Sequence, residues 1–117
     1  MTGQGSRGRP TSDGADDVQV FTGGVDRAAV WFPYPTARLA VTRDWVEISS
    51  VLGFARHERA DVRRLWLHQP FLRPDVVRFE TTTGWRWWHL GFIPTRRSTV
   101  LYELEALGWP IDHEDGR

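Results

Sequence analysis

The chain contains no cysteine. Disulfide scaffolds, thiolate zinc sites and cysteine nucleophiles are thereby excluded, and no oxidising compartment is implied. Lysine is missing as well, since all 15 basic residues are arginines; the base composition of a GC-rich genome is enough to produce that bias. Net charge is also lacking, because 15 acidic residues balance the basic ones. A neutral chain has no broad positive field for non-specific nucleic-acid binding, so no nucleic-acid partner is expected. No apolar run approaches the roughly 20 residues of a membrane span. Met1-Thr2-Gly3-Gln4-Gly5 opens without the apolar stretch of a signal peptide. A cytoplasmic address is the expectation.

What is present is a chain of 117 residues, a length that suits one domain. Aromatics make up 13% of it, with 7 Trp, so a substantial core is available. A domain of this size hides roughly 60–70% of its unfolded surface, which removes the need for a stabilising staple. Residues 1–26 differ from the rest: they hold Gly3, Gly5, Gly8, Gly14, Gly23 and Gly24, with no aromatic before Phe21. Such a stretch reads as a flexible tail, with Val18-Gln19-Val20-Phe21 alternating weakly as an edge strand. Gly3-Gln4-Gly5-Ser6-Arg7-Gly8 has the G-x-G-x-x-G spacing of a dinucleotide loop. No strand fits before it and no helix after it, so the match is set aside.

From Ala37 a period of two takes over. Leu39 and Val41 share one face, Arg43-Asp44 turns, and Val46 and Ile48 return on the same face. Short strands follow near 54–58, 62–68 and 76–81, with Pro70 and Pro74 in a connection because proline cannot donate to a ladder. Thr83-Gly84 turns into an expected last strand, Trp85 to Ile93. The pattern then becomes helical, with Val100, Leu101, Leu104 and Leu107 as one stripe. Pro94-Thr95 or Ser98 is the expected start, Gly108 the left-handed stop, and Pro110 the block behind it. The fold class is mainly β with one C-terminal α-helix, a β-sandwich or partly open barrel capped by the helix. The expected organisation is a 1–26 tail, a 27–112 domain and a short polar tail at 113–117.

Arg38-Leu39-Ala40-Val41-Thr42, Arg59-Ala60-Asp61-Val62, Val76-Val77-Arg78-Phe79 and the ending Val100 to Pro110 occur in that order. In this the chain resembles the pleckstrin-homology-like (PH-like) superfold, and more narrowly small PH-like domains of actinobacterial proteins of undefined function. The resemblance covers roughly residues 28 to 112 and implies the fold more than the activity. Phosphoinositide-binding members of that superfold carry several basic residues around the first hairpin. Here the hairpin is Thr42-Arg43-Asp44-Trp45, one charge of each sign, so phosphoinositide binding is not expected.

No catalytic spacing appears. The histidines His57, His68, His89 and His113 stand far apart, without the H-x-H or H-x-x-x-H pairing of a metal site. No G-x-S-x-G elbow is present. Glu103 with Glu105, and Asp112 with Glu114 and Asp115, read as solvated charge. No catalytic residue, metal or cofactor is expected.

Tryptophan carries the functional reading. Parity points Leu65, Leu67, Val77, Phe79, Trp88, Leu90 and Phe92 inward. It leaves Arg64, Trp66 and His68, then Arg78 and Glu80, then Trp85, Trp87 and His89 outward. If the three strands are neighbours, Trp66, Arg78 and Trp87 meet on the outer face, flanked by Arg64 and His89. Stacked Arg and Trp either cover the sheet or form a hot spot for a protein partner. Trp31-Phe32-Pro33-Tyr34-Pro35 is a second apolar cluster, expected to dock the tail onto the sheet. With the resemblance, the expectation is a non-enzymatic PH-like domain binding a protein through this aromatic and Arg surface. A small-ligand site in the barrel mouth, or peripheral lipid binding, is the alternative.

Overall fold

Alternating apolar residues make strands that bury one face, and seven such strands curl around a shared core here. The computed structural model describes residues 17–86, 88–95 and 99–113. Its strands are β1 (Gln19–Arg27), β2 (Val30–Val41), β3 (Trp45–Ser50), β4 (Gly53–Glu58), β5 (Val62–His68), β6 (Val76–Thr81) and β7 (Gly91–Ile93), followed by helix α1 (Val100–Ala106). They form one antiparallel sheet in the order β4-β3-β2-β1-β7-β6-β5, curled into a half-barrel. The expected class, mainly β with a single C-terminal helix, is the observed one.

The inner face follows the alternation. Leu39 pairs with Ile48, and Leu65 with Phe79, while Phe92 lies opposite both Val25 and Val77; all seven are at most 2% exposed. Helix α1 closes the core with Val100 and Leu104. Its stop has both bonds of a Schellman cap: Gly108 (φ +94°) donates to the Glu105 carbonyl and Trp109 to that of Leu104. Trp109 then turns inward, 2% exposed, and its Nε1 donates to the Thr42 carbonyl at 2.8 Å.

Two boundaries differ from the sequence reading. The folded domain does not begin at residue 27, because β1 is the central strand and Val25 is fully buried. Residues 1–16, including the G-x-G-x-x-G match, lie outside the described residues, as do 114–117 of the expected C-terminal tail and Ser98 of the expected helix start. The glycines assigned to a tail are demanded by contact. A Cβ on Gly23 would collide with the Ile93 carbonyl, and one on Gly24 with that of Phe32. The 31–35 cluster lies in the first half of β2, where Trp31 and Phe32 pair with β1; β3 pairs with β2 only from Ala37 onward, its last residue Ser50 opposite Ala37. A free side is what Pro33 and Pro35 need within a strand.

The last strand is also shorter than expected: the described residues 85–86 and 88–90 are not in a strand, and pairing begins at Gly91. Parity therefore fails there, and Trp88, expected inward, is 45% exposed.

Candidate functional site

The strand register brings two of the predicted residues together. Trp66 lies opposite Arg78, and Asp26 lies opposite both Gly91 and Trp31, on the outer face of β5, β6, β7, β1 and β2. Gly91 leaves the gap over which Arg78 reaches across β7. A Cβ there would sit 2.8 Å from Arg78 Nη1 and would clash with Val76. Arg78 Nη2 donates to Asp26 Oδ1 at 3.0 Å, and the second carboxylate oxygen lies 3.5 Å from Arg73.

This row is not a surface. Trp66 is 5% exposed and Arg78 8%, because the chain after β6 lays Trp85 over them. The Trp85 ring meets Trp66 edge to face at 6.0 Å, and the Arg78 guanidinium sits 5.5 Å from its centroid. Arg78 Nε, Nη1 and the Trp85 indole N–H have no hydrogen-bond partner. Arg64 stacks on Trp66 at 4.2 Å and is tied to Glu80 and Asp112, each at 2.7 Å. Trp87 lies outside the described residues. The expected exposed Trp66–Arg78 patch is thus corrected to an internal ion pair roofed by Trp85. The sequence reading missed Asp26, which it had placed in the tail.

His89, predicted for the same patch, stands elsewhere. It lines a cavity of about 430 Å³ at the open side of the half-barrel, with Arg27, Phe54, His57, Thr83 and Trp88. Three elements build it. β4 alternates, so Ala55 and His57 turn inward while Phe54 and Arg56 face solvent. His57 stacks on Phe79 of the opposite wall, centroids 5.2 Å apart. The segment 88–90 before β7 supplies His89, whose Nδ1 accepts from the Arg86 N–H at 3.2 Å, leaving Nε2 as the proton-bearing nitrogen when the ring is neutral. Arg27, at the end of β1, bridges the mouth: its Nε donates to the Trp88 carbonyl (3.2 Å) and its Nη1 to that of Leu52 (3.0 Å). Gly53, at φ +134°, permits this approach.

Electrostatics keep both imidazoles neutral at neutral pH. Burial lowers the His57 pKa, and His89 lowers it further against a weaker opposing pull from Asp61. Burial lowers His89 too, with Arg86 adding to the effect. The cavity presents a guanidinium, two imidazoles and the Thr81 and Thr83 hydroxyls, and no carboxylate lines it. Among the described residues no three His, Asp or Glu side chains converge as a metal set. A second hollow of about 770 Å³, between the 73–75 segment and the start of α1, is walled by Leu67, Pro74, Val100 and Tyr102 and holds no imidazole.

The two sheet edges differ. β5 is partly covered by the chain after α1: Leu65 N–H donates to the Pro110 carbonyl, and Asp112 N–H to that of Leu65. β4 pairs with β3 alone among the described residues, which leaves its other edge without a strand partner, and Phe54, Ala55 and His57 of this strand line the cavity. No described helix is long and apolar enough to cross a membrane. Comparison with protein-family models, with curated proteins and with solved structures finds no match to this chain.

Proposed function

We propose that the chain is a PH-like interaction domain that binds a protein partner, and that it does so at the mouth of the half-barrel. The strand order, four in one meander and three in another with a C-terminal helix packed between them, supports the PH-like reading. One observation carries the location: the unpaired edge of β4 runs beside a cavity flanked by Phe54 and Trp88, 63% and 45% exposed. An open strand edge supplies main-chain hydrogen bonds and an adjacent pocket supplies selectivity, the combination used in strand-addition recognition. The Trp66–Arg78 row is spent on internal packing and contributes indirectly, by fixing the segment that carries Trp88 and His89.

The test is affinity capture from the native host with the intact chain and a Phe54→Ser/Trp88→Ser variant. Both substituted side chains are exposed, so the variant keeps the far-UV circular dichroism of the parent. A partner bound by the parent and lost by the variant supports the reading; a partner held equally by both contradicts the location. A second reading, a small-ligand domain, is favoured by the cavity volume alone and requires ligand-induced thermal stabilisation without any protein partner.

A further inference from the structure

We propose that the mouth recognises a carboxylate carried by an extended peptide, the peptide pairing with the free edge of β4 and its carboxylate seated among Arg27, His57 and His89. This rests on the interaction reading above and names the chemistry of the partner.

Charge complementarity is the argument. Arg56, Arg63, Arg64, Arg73 and Arg78 each lie within ion-pair distance of a carboxylate. Arg27, like Arg59 and Arg86, instead hydrogen-bonds neutral carbonyls, here those of Leu52 and Trp88, and it lines the cavity. Every ionisable group lining that cavity is cationic when charged. Thr81 and Thr83 stand on the same wall, their hydroxyls hydrogen-bonded to each other at 3.0 Å. A carboxylate is a group that a guanidinium and imidazole N–H donors hold strongly, through charge-assisted bonds, and it is one that a peptide carries without modification. The backbone geometry selects an extended chain. β4 turns Ala55 and His57 inward to the cavity, with Phe54 at its rim, and a strand added to its edge would likewise send alternate side chains inward.

A bound anion also favours imidazolium over imidazole. The groups facing the two rings are His57 and His89 themselves, Arg86 behind His89, Asp61 near His57 and Arg27 across the mouth. Carboxylate binding therefore takes up protons and tightens as pH falls from 7.5 to 6.0.

The experiment selects peptides from a random library displayed against the full chain. Each enriched sequence is then resynthesised with its carboxylates and with the matching amides, the C-terminal amide included. Dissociation constants are measured at pH 7.5 and 6.0. The carboxylate form is expected to bind about tenfold tighter than the amide, with the gap widening at pH 6.0. Arg27→Gln is expected to abolish most of that gap, and His89→Gln provides a second, independent variant if the first unfolds. Comparing acidic side chains with a free C-terminus separates the two sources of the carboxylate. Equal binding of acid and amide overturns carboxylate recognition while leaving the interaction reading intact. No peptide binder, together with no shift of the His57 and His89 resonances on adding acetate, overturns both. Acetate binding without any peptide binder overturns the peptide and retains a small carboxylate site.

Discussion

Removing Asp26 tests the most specific packing claim in the fold. Its carboxylate is 6% exposed at the side chain and stands 3.0 Å from the Arg78 guanidinium, itself 9% exposed. Two of the three Arg78 nitrogens already have no hydrogen-bond partner, so Asp26→Ala leaves a buried cation with no carboxylate. Breaking a buried pair from one side costs about 3–5 kcal/mol. A domain of this size has about 5–15 kcal/mol in total, so that loss is a third or more of its stability. Arg78→Met is milder, about 1–3 kcal/mol, because Asp26 retains Arg73 at 3.5 Å. The double variant Asp26→Val/Arg78→Met removes both charges from the apolar row of Trp66 and Trp85. It should therefore be more stable than the sum of the two losses by at least about 2 kcal/mol. Urea denaturation followed by far-UV circular dichroism measures all three. Single substitutions that cost under about 1 kcal/mol and add without coupling would refute the internal ion pair.

Further outcomes follow from other contacts. The β1–β2 turn places Ala28 at φ +54° and Ala29 at +69°, a left-handed pair that costs about 1–2 kcal/mol per L-residue. Ala28→Asn/Ala29→Gly should raise stability by about 1–2 kcal/mol, read from the urea midpoint. Trp109→Phe leaves the Thr42 carbonyl without its buried indole donor, and a loss of about 1–3 kcal/mol is expected in the same assay. Gly91→Ala should prevent the native fold, seen as lost near-UV circular dichroism, because its Cβ meets Val76 and Arg78. Burial holds the His57 pKa below its ordinary 6.5, so the unfolded chain binds the proton first. Stability is present above pH 6.5 and falls as pH drops through it; a His57→Gln variant should show a flatter profile between pH 7.5 and 5.5.

The parts of this fold legible in sequence are those where local chemistry and tertiary pairing agree. Leu39, Val41, Val46 and Ile48 alternate across a recognisable Arg43-Asp44 turn, and they form a paired, fully buried row. The helix stripe from Val100 to Leu107 ended at Gly108 as its spacing required. The β1–β2 hairpin was illegible because its turn is Ala-Ala, without the Asn-Gly chemistry that announces such a turn. Its glycines, which read as flexibility, are close-packing positions against Ile93 and Phe32. With β1 hidden, Asp26 was hidden too, and Arg78 looked like a surface residue awaiting a partner. The tryptophans at 85, 87 and 88 read as alternation, yet Trp85 leaves the strand pattern to roof Arg78. His57 and His89 are 32 positions apart in the chain, and no spacing rule could have joined them across one cavity.

The central claim is that recognition occurs at the open β4 edge. Hydrogen exchange of the chain with and without a selected peptide tests it most directly. Protection confined to amides of Gly53–Glu58 and of residues 88–90 is the predicted result. Protection concentrated on Val62–His68, with β4 unchanged, would contradict it.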